Sequence, residues 1–427
     1  MIRKSLQHFR ISRSDSGIVT VWIDVAARSM NVFHNSVIEE LEVVVSELER
    51  TLRTVSHTEK TASAARTGAP AAPRAIVFRS AKASGFFAGA DVKQIAGLQT
   101  REEVEAVITR GQELFAQIER LAVPTIAVIH GPCLGGGLEF ALACNHRIAM
   151  NTRATRLGLP EVQLGLIPGW GGTQRLPKLV GLVAALPLIM QGKKLTATAA
   201  LKIGLVDAVY DEASWNECVD AFVRGVSDDT PKVASVQNQK SPDVRSFPPK
   251  LWGMLRPSII KKRLLRVAAE SMPGRWLVLR MAAQQAAPAS RNYPALPAAL
   301  RAVRAAYEKH GAGFAVERNE FAGLIETPTC RNLLNLFFRR ERARSLNTET
   351  LSEHSSACRP VGPEANAMPD GRISSPVFSK NAESTVTKPL LLSPTGEGGP
   401  DKTAEGNGAP SVDAKTPAVH TIGIVGA

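Results

Sequence analysis

The chain has 427 residues, and its 52 Lys and Arg against 39 Asp and Glu give a formal net charge of +13. This length exceeds that of one ordinary domain, and a hydrophobic share of 44% suffices for a sizeable core. The longest apolar run, residues 179–190, is too short to cross a bilayer, and the N-terminus lacks the apolar stretch of a secretory signal. The composition therefore argues against a membrane-spanning protein and predicts a cytoplasmic one.

The cysteines and the positive charge narrow the classes of partner. The five cysteines are widely spaced without a C-x-x-C pair, so neither a disulfide framework nor a zinc site is indicated. Much of the excess charge lies between residues 232 and 344, where no aromatic-rich or helix-turn-helix pattern accompanies it. Nucleic acid is therefore not an expected partner. A solvated helix face, or attraction of an anionic substrate or a membrane surface, remains open.

Residues 17–225 alternate short β-like runs with helical patterns, which is typical of an α/β fold. From Phe33 to Val55 the apolar positions recur at steps of three and four residues, which indicates one face of a long helix. The predicted elements, in chain order, are a strand at 17–24, this helix, a loop at 56–73, a strand at 74–80, a helix over roughly 101–121 and a strand at 124–131.

The second half of the chain changes character twice. Residues 229–347 are helical in pattern and basic, and they form a helical connector region after a first domain at 1–228. Residues 348–419 are dominated by Ser, Thr, Pro, Gly, Glu and Lys, which cannot bury enough apolar surface to order, so we expect a disordered linker. The last residues, 420–427, read as the start of a buried strand.

The last predicted strand runs directly into "GPCLGGGLEF" (131–140), where three glycines precede an apolar run that holds a single carboxylate, Glu139. Such a triplet predicts a backbone that comes very close to another group. A glycine that opens a helix can aim its N–H outward, and two convergent N–H groups form an oxyanion hole. The turn at 89–91 offers a second donor at Ala90, and Glu161 offers a second carboxylate for acid–base chemistry.

Three linked motifs resemble those of the crotonase superfamily, and specifically its enoyl-CoA hydratases. They are A-G-A-D-x-K at 88–93, G-x-x-x-G-G-G-x-E at 131–139 and P-E-x-x-L-G-x-x-P-G-x-G-G-T at 160–173. The resemblance covers roughly residues 15–210 and implies a crotonase-like spiral of ββα units, with a helical C-terminal region and then a disordered tail.

The resemblance also implies roles for individual residues. The backbone N–H groups of Ala90 and Gly136 hold the thioester oxygen of an acyl-CoA, while Glu139 and Glu161 activate a water and deliver a proton to C2. Which glutamate dominates proton transfer is left open, because the two titrate as a coupled pair. Coenzyme A enters as part of the substrate, and hydration needs no other cofactor. The implied substrate-binding residues are Gly89, Asp91, Lys93, Gly135, Pro168 and Gly169.

Two of these residues have alternative interpretations. Lys93 matches a position near the CoA phosphates in the family, but a solvated surface lysine fits as well. For Asp91 we favour a helix cap over a role in chemistry. Trp170, inside the third motif, is expected to pack rather than react.

Residues 292–303 and 321–344 resemble the helical connector of multifunctional fatty-acid oxidation α-subunits, in which a hydratase half precedes a dehydrogenase half. The end of the chain at 420–427 is similar to the first strand of the dehydrogenase's dinucleotide-binding domain. The resemblance implies a chain truncated there, so NAD is expected only if a further C-terminal domain exists, and no dehydrogenase activity is expected.

The predicted function is therefore an enoyl-CoA hydratase of fatty-acid β-oxidation with isomerase side activity. Two alternatives stay open, another crotonase-type lyase or isomerase and a non-catalytic acyl-CoA-binding subunit of a β-oxidation complex. The expected partners are an acyl-CoA thioester, further copies of the chain and a thiolase subunit, with peripheral membrane contact left open.

Overall fold

The computed structural model describes residues 6–58, 72–228, 268–308 and 312–357, all within one compact unit, Met1–Arg359. Side chains are described except in the last residues of two helices, 55–58 and 345–357. Most of the predicted loop at 56–73, residues 358–419 of the predicted linker and the predicted strand at 420–427 lie outside these ranges.

The described strands form two sheets. They are β1 (Phe9–Arg13), β2 (Ile18–Ile23), β3 (Ala75–Ser80), β4 (Thr125–Ile129), β5 (Pro132–Leu134), β6 (His146–Met150), β7 (Arg156–Gly158), β8 (Lys194–Leu195) and β9 (Ala208–Tyr210). The larger sheet has the order β1-β2-β3-β4-β6-β9 and is parallel except for β1, which pairs antiparallel with β2. The smaller sheet has the order β5-β7-β8.

The described helices surround these sheets. They are α1 (Asn35–Thr58), α2 (Val92–Gly97), α3 (Arg101–Glu119), α4 (Gly136–Ala143), α5 (Gly172–Val180), α6 (Leu182–Met190), α7 (Ala197–Ile203), α8 (Trp215–Asp228), α9 (Met272–Ser290), α10 (Ala295–Ala305), α11 (Gly313–Ile325) and α12 (Pro328–Ala357). Short 3₁₀ turns occupy Glu161–Leu164 and Glu212–Ser214. Among the described helices, none is both long enough and apolar enough to span a membrane.

The three predicted strands are confirmed as β2, β3 and β4, and the two predicted helices as α1 and α3. The sequence does not predict strand β1. This strand lies at the edge of the sheet and its residues are mostly exposed, so its sequence lacks the apolar alternation of a buried strand. The strands of the smaller sheet have two or three residues each, which is too short for periodicity to mark them.

Both faces of the larger sheet are covered, and strand β3 shows how the sequence achieves this. Ile76 and Phe78 join the main core, while Ala75 and Val77 join a second cluster that contains Val219 of α8. Successive side chains of a strand point to opposite faces, so a strand buried on both faces reads as a continuous apolar run. This is why "AIVF" contains no polar residue.

The chain repeats one ββα pattern. Strand β4 ends at a turn at Gly131, β5 joins the smaller sheet, and α4 follows directly; β6, β7 and α5 repeat the order with the Glu161–Leu164 turn inserted. Gly131 has φ +61, and a Cβ there would lie 2.7 Å from the Cα of Gly85, so only glycine fits this turn. The repeat places the starts of α4 and α5 and the 3₁₀ turn side by side.

The region predicted as a helical connector packs on the first domain. Helices α10 and α11 both contact α5, α11 also contacts α3, and α12 contacts the 3₁₀ turn at Glu161–Leu164. Helix α12 ends at Ala357, ten residues beyond the predicted end of the region at 347, so the expectation that residues 348–357 belong to a disordered linker is wrong. These residues are rich in Ser and Thr, but no Gly or Pro interrupts them before Pro360, and their Leu, Glu and Ala favour helix.

Candidate active site

The glycine triplet at 135–137 lies where three neighbours approach the backbone. A Cβ on the first glycine would lie 2.8 Å from Oε1 of Glu161, one on the second would lie 2.6 Å from Cζ3 of Trp170, and one on the third would lie 2.5 Å from the carbonyl oxygen of Phe87. Gly135 also has φ +52, where other residues are strained. Each glycine therefore admits a different group, and the predicted close approach is confirmed.

Two backbone N–H groups are available beside this triplet. Gly136 is the first residue of α4, and neither its N–H nor that of Ala90 has a hydrogen-bond acceptor among the described residues. A Cβ built on Gly136 would lie 3.6 Å from the nitrogen of Ala90, so the two donors lie close together. The Ala90 loop is fixed because the N–H of Phe33 donates to the carbonyl of Gly89 (2.9 Å) and the N–H of Asp91 donates to that of Phe33 (2.8 Å). Such a pair of donors can hold an oxyanion.

Glu139 projects from the first turn of α4 and is only 2% exposed. Its Oε1 accepts hydrogen bonds from the backbone N–H groups of Trp170 and Gly172, both at 2.8 Å. Burial raises the pKa of Glu139 well above its usual range, the charges of Glu161 and Glu317 add to this, and the two N–H bonds oppose it. The carboxyl group is thus held in one orientation in an environment that favours its protonated form.

Glu161 opens the 3₁₀ turn and is held differently. Part of the residue is exposed, but its Oε2 atom is buried and has no hydrogen-bond partner within the described part of the chain. Burial raises the pKa of Glu161 to about 8, its own backbone N–H lowers it, and the charge of Glu317 raises it. A carboxyl group with an unpaired buried oxygen and a raised pKa can carry a proton near neutral pH and give it up to a bound molecule.

A third buried carboxylate, Glu317, was not among the predicted site residues. It lies on α11, is 0% exposed, and accepts hydrogen bonds from the N–H groups of Gly171 (2.6 Å) and Thr173 (3.0 Å). The Thr173 hydroxyl (2.5 Å) and the side-chain amide of Gln112 (3.1 Å) complete its contacts. Burial raises the pKa of Glu317 to about 7, against the effect of these four hydrogen bonds.

The sequence carried a weak signal for Glu317. The buried positions of α11 include Gly313, Glu317, Phe321 and Leu324, which recur at helical spacing. An acid on the apolar face of a helix is rarely buried without partners, so this spacing alone could have marked Glu317 for attention.

The predicted residues of the first motif lie at the start of α2. Asp91 accepts a hydrogen bond from the N–H of Lys93 (2.9 Å) and forms an ion pair with Arg28 (3.1 Å), so it caps α2 as expected. Lys93 lines a surface pocket of about 710 Å³ together with Ala96, Gly97, Phe338, Glu341 and Arg342. Neither Glu139 nor Glu161 lines this pocket.

The remaining predicted residues shape the loops around the two glutamates. Gly89 has φ +114 and contributes the carbonyl that anchors the Ala90 loop. The carbonyl of Gly169 accepts a hydrogen bond from Gln112 (2.9 Å), and a Cβ on Gly169 would lie 2.7 Å from the side chain of Ile108. A Cβ on Gly172 would lie 2.7 Å from the Cβ of Pro168. These contacts restrict the backbone conformation of the third motif.

Trp170 packs as predicted. It is 7% exposed and makes edge contacts with the rings of Phe33 and Phe115, and its indole lies against the Cα positions of Gly111 and Gly136. The indole therefore fixes the distance between α3 and the start of α4.

Comparison with known proteins shows which families the chain resembles. A family model described as enoyl-CoA hydratase/isomerase matches residues 51–233. A fatty acid oxidation complex subunit alpha of Aliivibrio fischeri is 35% identical over 337 residues, which are 78% of this chain and 42% of that protein. Its counterpart in Vibrio cholerae is 36% identical over 332 residues, which are 77% and 41% of the two chains. The chain thus spans less than half the length of these relatives.

A crystal structure of a putative enoyl-CoA hydratase from Streptomyces avermitilis superposes with a TM-score of 0.50 and 21% identity, over 80% of this chain and 92% of that one. The repeated ββα pattern and this likeness define the crotonase fold, so the predicted fold class is confirmed. Residues 51–233 therefore form a domain that matches the enoyl-CoA hydratase/isomerase family, and the chain is similar to fatty acid oxidation complex subunits alpha over 78% of its length.

Proposed function

We propose that the chain is an enoyl-CoA hydratase of fatty-acid β-oxidation, which adds water across the 2,3 double bond of enoyl-CoA thioesters. The observation that carries the proposal is the placement of the Glu139 and Glu161 carboxyl groups beside the N–H groups of Ala90 and Gly136, which have no acceptor among the described residues. The family match and the names of the relatives support it.

In the proposed reaction the N–H groups of Ala90 and Gly136 hold the thioester oxygen. Withdrawal of electron density through the carbonyl makes C3 electrophilic, and the same two donors stabilise the enolate-like charge that develops when water adds. The loss of one such donor typically costs about a hundredfold or more in rate.

The two carboxyl groups share the proton transfers. One must accept a proton from the attacking water at C3, and the other must deliver a proton to C2. Both N–H donors to Glu139 act on its Oε1, which leaves its Oε2 for the water. Glu161, with a pKa of about 8, carries a proton near neutral pH. Because the two groups are coupled, the pair shares the titration.

Lys93 and Arg342 give the surface pocket at the end of α2 two positive side chains, although Glu341 also lines it. We propose this pocket for the phosphates of the CoA moiety. Gly89, Gly135, Pro168 and Gly169 contribute by shaping the loops that the acyl thioester contacts. Coenzyme A is the carrier part of the substrate, and hydration uses no further cofactor.

Isomerase side activity belongs to the same proposal, since moving a double bond also proceeds through a thioester enolate. Association with a thiolase subunit, with further copies of the chain or with a membrane surface also remains a proposal. NAD would bind only to a dinucleotide-binding domain that residues 420–427 would begin.

The test is direct. The conjugated enoyl thioester absorbs in the ultraviolet, and its absorbance should fall when the protein is added without NAD. A series of 2-trans-enoyl-CoA substrates of different length covers the range of acyl chains. If no member of the series turns over while the thioesters still bind, the non-catalytic acyl-CoA-binding alternative replaces the hydratase.

A further inference from the structure

The turn at residues 170–173 is held from two sides by two carboxylates. The N–H groups of Trp170 and Gly172 donate to Glu139, both at 2.8 Å. Those of Gly171 and Thr173 donate to Glu317, at 2.6 and 3.0 Å. Four successive N–H groups therefore alternate between a carboxylate on α4 and one on α11.

This turn has little rigidity of its own. It lies in a stretch with glycines at 169, 171 and 172, and Gly171 adopts φ +102. Glycine has more conformational freedom than any other residue, so a glycine-rich turn keeps one shape only when other groups fix it. The two donors that orient Glu139 belong to this turn.

Glu317 supplies that restraint. Besides the two N–H bonds, it accepts the Thr173 hydroxyl at 2.5 Å and the amide of Gln112 at 3.1 Å. Gln112 in turn donates to the carbonyls of Gly169 and Phe314, at 2.9 and 3.1 Å. One hydrogen-bond network thereby joins α3, the turn and α11, and both carboxylate oxygens of Glu317 accept hydrogen bonds in it.

A purely space-filling role would not require a charge here. An apolar side chain would fill the same space without the cost of burying a carboxylate. A carboxylate with four donors makes sense where the orientation of the donors matters, and the start of α5 also favours negative charge.

We infer that Glu317 is a positioning residue of the hydration reaction, which fixes the turn at 170–173 so that its other two N–H groups hold Glu139 against the substrate. The inference rests on the proposed function for its role in catalysis, and on the hydrogen bonds alone for its role in the turn. Because α11 begins at Gly313, the active site needs helices that lie beyond the matched region at 51–233. Residues 1–228 would not form a complete hydratase.

The main test compares Glu317→Gln with Glu320→Gln. Glu320 lies on the same helix and pairs with the exposed Arg301, away from the turn, so it serves as the matched control. Glu317→Gln puts an NH₂ group against donors and releases part of the turn. The kcat for enoyl-CoA hydration should fall by about 10- to 100-fold with KM changed less than about twofold, while Glu320→Gln stays at wild type.

Amide hydrogen exchange tests the turn without reference to activity. In Glu317→Gln the amides of Trp170 and Gly172 should exchange faster, although Glu317 does not bond to them. Faster exchange only at Gly171 and Thr173 would overturn the inference, as would an unchanged kcat per folded molecule. If the wild type hydrates no substrate, the proposed function fails, and exchange at Trp170 and Gly172 still decides whether Glu317 holds the turn.

A second pair of variants covers the case in which Glu317→Gln does not fold. Thr173→Val removes one hydroxyl bond to Glu317 but keeps the backbone N–H, and Thr173→Ser restores the hydroxyl. The valine variant should lose several-fold in kcat and the serine variant should recover it. Equal kcat and equal amide exchange in both would contradict the inference.

Discussion

The surroundings of Glu139 and Glu161 differ more than their shared chemistry would suggest. Glu139 accepts two backbone N–H groups from a turn that Glu317 holds on its other side. Glu161 lies at the start of a 3₁₀ turn, and one of its oxygens is buried with no hydrogen-bond partner in the ranges that the structure describes. Burial raises the pKa of each; two backbone N–H groups of the turn oppose the shift at Glu139, and at Glu161 its own backbone N–H opposes it. One carboxyl group is fixed in direction, and the other is left able to exchange its proton.

The largest effect should come from removing either carboxyl group. Glu139→Gln and Glu161→Gln keep the size of the side chain but abolish proton transfer, so each should lower kcat by about 10²- to 10⁴-fold with modest change in KM. Steady-state hydration kinetics measure this, with Glu113→Gln on the exposed face of α3 as control. Near-native activity in either variant would show that its carboxyl group is structural.

A pair of glycine variants can disturb each carboxyl group separately. A Cβ at Gly135 would lie 2.8 Å from Oε1 of Glu161, and one at Gly172 would lie 2.9 Å from Oε1 of Glu139. Gly135→Ala and Gly172→Ala should therefore displace one carboxyl group each, and kcat should fall by about 10- to 100-fold.

The matched control for this pair is Gly225→Ala on α8, where a Cβ would meet no atom within 4 Å. That change should leave kcat unaltered and stabilise the helix by about 0.5–1 kcal/mol. Gly135→Ala should affect the structure more than Gly172→Ala, since Gly135 has φ +52. Wild-type kcat in both active-site variants would mean that the carboxyl groups tolerate displacement.

A smaller effect is expected at Lys93, which lies away from both carboxyl groups. If the pocket it lines holds the CoA phosphates, Lys93→Ala removes binding that the ground state and the transition state share. KM for enoyl-CoA should then rise by about two- to fivefold with kcat unchanged. A fall in kcat at constant KM would instead place Lys93 among the groups that act on the reaction itself.

The smallest effect is a pH dependence of stability. The pKa of Glu161 in the folded protein, about 8, lies above its ordinary value of 4.5, so the folded state binds this proton more tightly than the unfolded chain does. That contribution to stability is complete below pH 4.5 and is lost as pH rises through about 8. Glu161→Gln should therefore raise Tm more at pH 9 than at pH 5. The difference should be about 2–4 °C for each kcal/mol by which the free energy of unfolding changes.

Thermal unfolding of both proteins across this pH range measures the difference. Glu113→Gln is again the control, because Glu113 is exposed on α3 and lies outside the proposed site. An equal effect of Glu161→Gln at pH 5 and pH 9 would mean that Glu161 titrates as it does in the unfolded chain.

The sequence located Glu139, Glu161, Ala90 and Gly136 because each depends on a local backbone pattern. The glycine triplet ends a strand and opens a helix, and this local pattern indicates where other groups approach the backbone. The residue spacing of the third motif indicates the position of the 3₁₀ turn in the same way. The family and the fold class were predictable for the same reason, and both are confirmed. The roles of the four residues stay predictions.

The helical spacing could have marked Glu317 as a buried acid, but its contact with the turn was not predictable because that contact depends on tertiary packing. Glu317 lies about 145 residues after the turn that it contacts, in a helix that carries none of the three family motifs. The short strands β5, β7 and β8 were missed because two or three residues cannot show a period. The end of α12 at Ala357 was missed because the last residues of the helix are rich in Ser, which suggests a linker, although no helix breaker interrupts them.

Because α11 contacts the turn at 170–173, the proposed hydration reaction would make this chain suitable for a split reporter. A cut between Asp228 and Met272 would place Glu139 and Glu161 on one fragment and Glu317 on the other. Neither fragment alone would hold Glu139 in its working orientation, so hydration would signal that the two had met. Fusing the fragments to two test proteins would convert an association between them into a change of ultraviolet absorbance.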